Sequence, residues 1–201
     1  MVAENTTGER AAIIQPTASI RLQKIGYIAF CFQNYVMDIN DISIRTNIKP
    51  GDLGLVMYRH GKLYGEEYNY SVSLETYVGL GLYEFYRNYD EDKDCVWICE
   101  HNNSIIGFLL LMHVENNAAR LRFFYLDAGY RGIGLGKKLM QLFIDFLKEK
   151  GYSSCYLTTT DEQTGAAALY KKFGFVLTEE KESSQFGKPL MEQRYDLTSA
   201  P

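Results

Sequence analysis

Glycines and basic residues are concentrated in one stretch of the chain, residues 126–140, which have the sequence LDAGYRGIGLGKKLM. Gly134 and Gly136 follow Arg131 at the spacing R-x-x-G-x-G, Gly132 adds another residue without a side chain, and an apolar helical pattern begins at once. At the start of such a helix, consecutive backbone N–H groups point outward and the helix dipole favours an anion. The stretch therefore predicts a binding site for a diphosphate group.

Two other glycine motifs do not fit this stretch. A dinucleotide-binding fingerprint needs a third glycine three positions after the second, where this chain has Lys137 or Leu139. A Walker A loop needs a glycine and a hydroxyl residue where this chain has Arg131 and Lys138. The alternative to an anion site is a tight strand-to-helix turn, in which the glycines only permit close packing.

The elements that would position this stretch predict an α/β domain with a mixed sheet. Alternation predicts a first strand over residues 42–48. Two helices follow, one from an N-cap at Asp52 to a stop at Gly61, and one from Ser71 or Ser73 to the acidic run at 90–94. Asn102-Asn103 and Asn116-Asn117 predict the turns of a three-stranded antiparallel meander over residues 95–126. After the glycines we expect a helix ending at Gly151, a strand, a helix over 166–173, and strands over 175–178 and 191–197.

Composition excludes several classes of protein. The net charge of −4 argues against nucleic acid as a partner. The cysteines are dispersed, without metal-ligand spacing, so we expect free buried thiols in a reducing compartment and no metal. Residues 1–16 do not have the pattern of a secretory signal, and the apolar residues 25–37 are too few to cross a bilayer. A cytoplasmic protein without a membrane partner is expected, with residues 1–40 as a tail and appendage and residues 19–37 forming a helix or a strand pair.

Two segments carry a resemblance to a known family. YLDAGYRGIGLGKKLM, residues 125–140, followed by AAALYKKFGF, residues 166–175, resembles the coenzyme A signature of the GNAT superfamily of N-acyltransferases. GDLGLVMYRHGKLYGEEY and FGKPLMEQRYDL are similar to GNAT domains that are fused to MarR-type regulators, although residues 1–43 are too few for a winged helix. The resemblance implies a GNAT-like fold over residues 41–201, with a mostly antiparallel central sheet flanked by helices.

The resemblance also implies how acetyl-CoA, the expected cosubstrate, is bound. The strand before the glycines and the next strand would splay apart, and the pantetheine arm would lie in the gap. One backbone N–H of that strand would polarise the thioester carbonyl. Gln163 stands where the family usually has asparagine, and the whole expected cofactor set is Phe124, Tyr125, Leu126, Arg131, Gly132, Ile133, Gly134, Leu135, Gly136, Lys137, Gln163, Ala166 and Tyr170. Lys137 would add charge, or it is only a solvated lysine.

Tyr170 matches the family's tyrosine that protonates or hydrogen-bonds the departing thiolate, although a tyrosine at this helical position also suits a core. Glu100 is the expected second catalytic residue, as a base for the acceptor amine, with Asp127 and His60 as the alternatives. His60, Tyr64 and Glu67 are expected to bind the acceptor, although His60 also suits a helix end and Glu67 a solvated turn. The expected function is acetyl transfer to a primary amine of a small molecule or peptide. The alternative is a non-catalytic module that binds coenzyme A or a protein, and the oligomeric state is open, a homodimer included.

Overall fold

The protein is described from a computed structural model, in which residues 38–198 are described. The expectations for residues 1–37 lie outside these residues. The strands are β1 Ser43–Arg45, β2 Cys95–His101, β3 Ser104–Val114, β4 Ala118–Leu126, β5 Ser154–Thr160, β6 Val176–Ser183 and β7 Leu190–Thr198. The helices are α1 Asp52–Tyr68, α2 Ser73–Arg87, α3 Leu135–Lys150 and α4 Thr164–Lys172.

The strands form one seven-stranded sheet in the order β1-β2-β3-β4-β5-β7-β6. The pairing of β4 with β5 is parallel, and every other pairing is antiparallel. One apolar cluster packs α3 and α4 against one face, and a second packs α1 and α2 against the other. Successive side chains of a strand point to opposite faces of the sheet, so each strand contributes to both clusters. Trp97 belongs to the first cluster, and its neighbours Val96 and Ile98 belong to the second. The expected α/β fold with a mixed, mostly antiparallel sheet is confirmed.

The meander has the turns that its asparagines predict. Asn102 and Asn103 have φ of 49° and 60°, and Asn116 and Asn117 have φ of 62° and 54°. Asparagine tolerates this left-handed conformation better than most residues. His101 therefore pairs directly with Ser104 across a two-residue turn.

A bulge and a gap distinguish β4 from the other strands. Phe108 pairs with Tyr125 whereas Leu110 pairs with Arg122, so two residues of β4 lie opposite one of β3, and Phe123 has φ of 53°. β4 pairs with β5 only over residues 118–120 and 154–156. Beyond that point the two strands diverge, which agrees with the splay that the resemblance implies.

Two predicted helix boundaries are wrong. The first helix continues past Gly61 and ends at Tyr68, followed by Asn69 in the left-handed conformation. Gly61 instead faces the side chain of Glu75 of α2, which a Cβ at this position would contact. The N-cap is Gly51, and Asp52 lies inside the helix with its carboxylate accepting from the Lys49 N–H at 2.6 Å.

Strand and helix lengths differ more modestly. β1 is shorter than predicted, β6 extends to Ser183, and α4 begins at Thr164. Cys95, Cys99 and Cys155 are buried free thiols, and burial raises the pKa of Cys95 and of Cys99 to about 12. Among residues 38–198, no helix combines the length and the apolar character that crossing a bilayer requires.

Candidate active site

The glycine loop, residues 131–136, joins the end of β4 to the start of α3 through backbone that only glycine adopts easily. Gly132 has φ of 79°, and Gly134, the residue before α3, has φ of 92°. Within residues 38–198, the backbone N–H groups of residues 132–137 donate no hydrogen bond to another group. The first bonded amide is that of Lys138, which donates to the Gly134 carbonyl at 3.0 Å. The loop therefore presents a row of free donors at a helix N-terminus.

Close packing explains only one of these glycines. A Cβ on Gly136 would lie 3.3 Å from Leu169 of α4, so this glycine lets α3 approach α4. A Cβ on Gly132 would have nothing within 4 Å, and one on Gly134 would meet only Ile39 at 4.0 Å. Close packing thus accounts for Gly136 but not for Gly132 and Gly134, whose positive φ values a tight turn also requires.

A cleft with a volume of about 510 Å³ runs from the glycine loop along the open edge of β4 to α4. The expected cofactor residues all line this cofactor cleft except Ile133, which is half-buried against the core, and Leu135, which is fully buried. Residues that the sequence reasoning missed also line it: Leu63, Tyr68, Gly165, Ala168, Leu169 and Lys172. The helical spacing of Gly165, Ala168 and Lys172 is a signal that could have found three of them.

A second cavity, of about 90 Å³, lies on the α2 side of the sheet. This inner cavity shares four lining residues with the cofactor cleft: Tyr64, Phe124, Gln163 and Tyr170. Its other walls come from α1, α2, β4, β5, β7 and the segments that precede α2 and β7. The two spaces therefore meet where β4 and β5 diverge.

Tyr170 lies at this junction. Its side chain is buried, with ring centroids 6.4 Å from Phe124, 6.1 Å from Phe175 and 6.4 Å from Tyr195. Burial raises the pKa of the Tyr170 hydroxyl well above its ordinary value. The hydroxyl is therefore protonated at neutral pH and can act as a proton donor.

The three expected acceptor residues have three different positions. Tyr64 lines both spaces, and its hydroxyl donates to the Phe124 carbonyl at 3.3 Å. His60 lines the inner cavity, and its Nδ1–H donates to the Val56 carbonyl at 2.8 Å. Burial lowers the pKa of His60 to about 4, so its ring is neutral.

Glu67, the third expected acceptor residue, pairs with Arg131 of the glycine loop at 2.9 Å. The Nε of Arg131 donates to the Leu126 carbonyl at 3.0 Å. Glu67 and Arg131 therefore connect α1 to the glycine loop and to the end of β4, and Glu67 does not line the inner cavity.

The structure does not bring Glu100 to the junction. Its carboxylate accepts from the Nε of Arg45 at 2.8 Å, and Arg45 also forms an ion pair with the buried Asp52 at 2.8 Å. Glu100 lines neither the cofactor cleft nor the inner cavity. Its position indicates a partner for Arg45 rather than a base for the amine.

Comparisons with known proteins agree with this geometry. The profile of the acetyltransferase (GNAT) family matches residues 61–175. The uncharacterized N-acetyltransferase YjgM of Escherichia coli is 32% identical over 103 residues, which are 50% of this chain and 62% of YjgM. Human N-acetyltransferase 8B is 32% identical over 93 residues, 44% of this chain and 41% of that protein. The match thus spans less than two thirds of the length of each relative.

A solved structure supports the fold. The GNAT-family acetyltransferase from Staphylococcus aureus Mu50 superimposes with a TM-score of 0.61 at 22% identity, over 78% of this chain and 98% of that one. At this identity the likeness concerns the fold alone.

Proposed function

The chain belongs to the acetyltransferase (GNAT) family, and from this premise we propose that it is an N-acetyltransferase. It transfers the acetyl group of acetyl-CoA directly to a primary amine of a small molecule or peptide, and residues 41–201 are its catalytic domain. The observation that carries the proposal is the junction at Phe124 and Tyr170, where the cofactor cleft meets the inner cavity. A donor on one side and an acceptor on the other would approach each other there.

The residues of the cofactor cleft suit coenzyme A. The free amides of residues 132–137 would bind its diphosphate, with Lys137 adding a positive charge at the helix start. The carbonyls of Phe124 and Leu126 accept from the side chains of Tyr64 and Arg131, so both point to the open edge of β4. Since the N–H and C=O of a strand residue leave by the same edge, the N–H groups of these residues face the cleft.

Acetyl-CoA supplies an acetyl group that is already activated as a thioester. An N–H of Phe124 or Leu126 would stabilise the negative charge that develops on the carbonyl oxygen, a contribution of about 3 kcal/mol for one donor. Tyr170 would hold its proton, as its raised pKa requires, until the sulfur leaves. Gln163, whose Oε1 accepts from the Thr159 hydroxyl at 3.0 Å, would fix the start of α4 beside the junction.

Release of free thiol tests the proposal. The full chain is incubated with acetyl-CoA and a panel of primary amines, and the thiol is followed with a colorimetric reagent while mass spectrometry identifies the acetylated product. We expect thiol release above that of the amine-free reaction with at least one class of acceptor. Tight binding of acetyl-CoA without release of thiol for any amine would instead support the non-catalytic module that binds coenzyme A. If acetyl-CoA does not bind at all, both the acetyltransferase and the coenzyme A-binding module are contradicted.

A further inference from the structure

The inner cavity continues into a second, more open space on the same face of the sheet. This outer pocket has a volume of about 360 Å³. It shares five lining residues with the inner cavity: Tyr77, Arg120, Thr158, Gln185 and Glu192. Together the two form an acceptor channel that leads from the surface to the Phe124–Tyr170 junction.

Arg120 lines both parts of this channel without a carboxylate partner in the described part of the chain. Its Nε is buried and has no hydrogen-bond partner among residues 38–198, and its guanidinium lies 5.3 Å from the centre of the Tyr156 ring. Removing a charged donor from water without pairing it is unfavourable. Arg120 as a whole is half-buried and faces the channel, so an anion that enters the channel can pair with its guanidinium.

Arg122, two residues along β4, presents a second cation to the inner cavity. Its side chain is buried against the rings of Phe123 and Tyr77, at 4.6 and 5.5 Å from their centres. Among residues 38–198 it forms an ion pair with Glu84, whose carboxylate is 3.9 Å away and more than half exposed. A surface partner at this distance compensates little of the charge of a buried arginine.

The other charged groups of the channel are already paired or solvated. Arg194 binds the carboxylate of Asp196 at 2.8 Å. Glu192 accepts from the Nε2 of Gln185 at 2.7 Å and lies 3.9 Å from Lys181. Glu179 is exposed at the rim. Since Lys181 is exposed and as far from Glu192 as Glu84 is from Arg122, Glu192 also keeps most of its charge. Two arginines against this one carboxylate leave the channel with a net positive charge, which disfavours a polyamine or a basic peptide as the acceptor.

From this arrangement we propose that Arg120, with Arg122 beside it, binds a carboxylate of the acceptor. The inference rests on the proposed function and names its substrate class: an amine that also carries a carboxylate, of the size of an amino acid or a dipeptide. The two arginines precede Phe124 by two and four residues on β4, with the bulge at Phe123 in between, so their Cα atoms lie within about 13 Å of it. The inner cavity is also lined by Leu74, Val78 and Phe186, which suit an uncharged side chain.

Matched acceptors test the carboxylate. Leucine and leucyl-glycine are compared with leucinamide and with isopentylamine, which keeps the leucine side chain without its carboxylate, and the same set is built on alanine and phenylalanine. We expect kcat/KM to be about tenfold to a hundredfold higher for the acids than for the amide and the amine, as for a hydrogen-bonded charge. Equal use of acid, amide and amine would overturn the carboxylate inference and leave the proposed function standing.

Variants locate the binding group. Arg120→Gln should raise KM for the best acid by about tenfold or more and leave KM for isopentylamine and the affinity for acetyl-CoA unchanged. Arg120→Lys keeps the charge without the planar fork and should raise KM for the acid by a smaller factor. It takes the place of Arg120→Gln in this test if that variant does not fold. Arg87→Gln removes an exposed arginine at the end of α2 and should change nothing. A KM that rises equally for acids and amines would contradict a role in binding the carboxylate.

Binding measurements separate the two proposals. Calorimetry with the unreactive product coenzyme A present gives the affinity for leucine and for isopentylamine without turnover. Binding of the acid without thiol release from acetyl-CoA would count against the acetyltransferase proposal alone. If none of the acids binds more tightly than its matched amine, the carboxylate inference is wrong.

Discussion

The ring of Tyr170 lies 6.4 Å from the ring of Phe124, across the opening that β4 and β5 leave between them. Tyr170 comes from α4 and Phe124 from β4, and both line the cofactor cleft as well as the inner cavity. The hydroxyl and the strand backbone are thereby held at one point by two elements that are packed into the same core. Substitutions that affect this point should change catalysis before they change the fold.

Tyr170→Phe should lower kcat by about a hundredfold or more, because it removes the proton donor for the sulfur. The affinity for acetyl-CoA and the melting temperature should change little, since the ring stays. Steady-state kinetics and calorimetry measure both. Tyr195→Phe is the matched control, because this buried tyrosine lies 6.4 Å from Tyr170 and its hydroxyl donates to Gln193 instead. An unchanged kcat for Tyr170→Phe would remove the tyrosine from the mechanism.

Gly134→Asp should weaken acetyl-CoA binding by about a hundredfold, because it places a carboxylate where the diphosphate would lie. The strain of a side chain at a φ of 92° adds to this effect, and Gly134→Ala measures that strain without the charge. Gly129→Ala is the control, since a Cβ there meets nothing within 4 Å. Calorimetry that gives the same dissociation constant for Gly134→Asp and for the unchanged protein would exclude the loop as the diphosphate site.

His60 should make the fold less stable in acid. Its pKa falls from 6.5 to about 4 on burial, so between these values the unfolded chain binds more protons and stability rises with pH. His60 therefore does not reduce the free energy of unfolding above about pH 6.5, and it reduces that free energy progressively as the pH falls towards 4. Between pH 7 and pH 5 this amounts to about 2 kcal/mol, which His60→Phe should abolish. Urea unfolding at the two pH values measures the difference, and an equal loss in the variant would rule out His60 as its source.

Glu100→Gln should leave kcat unchanged and reduce stability by less than about 1 kcal/mol, because its carboxylate is partly exposed and, among residues 38–198, pairs with Arg45 alone. Asp52→Asn is the contrasting variant. It removes the buried carboxylate that pairs with Arg45 and should lower the free energy of unfolding by about 3 kcal/mol. Chemical denaturation and thiol release measure both quantities. A large fall in kcat for Glu100→Gln with unchanged stability would restore the carboxylate as a catalytic base.

Local signals explain what could be predicted from the sequence. The asparagine pairs and the glycines of the loop impose backbone angles within a few residues, so their turns and the start of α3 were predictable. Residues of the same loop and of α4 line the cofactor cleft, and Ala166 and Tyr170 of α4 were expected from the family resemblance rather than from a local signal. Gly61 shows the limit, because a glycine, which often ends a helix, here lies inside one and faces the side chain of Glu75 from another helix.

The acceptor side could not be predicted in the same way. Glu100 follows an apolar run and is suitable by residue type, but its partner Arg45 is 55 positions away in the chain. Arg120 and Arg122 alternate with apolar residues, which is also the pattern of a strand face exposed to water. Only the packing of α2 over this face encloses them beside the inner cavity.

The bulge at Phe123 divides β4 into two segments that can evolve separately. Before it, positions 120 and 122 face the acceptor channel; after it, Phe124 and Leu126 face the cofactor cleft. On the proposed function, exchanging the two arginines should change which amine is accepted, whereas the binding of acetyl-CoA should be retained. Deleting the one extra residue should turn the side chains of one segment of β4 to the opposite face of the sheet. Binding of the acceptor and binding of acetyl-CoA should then both be lost.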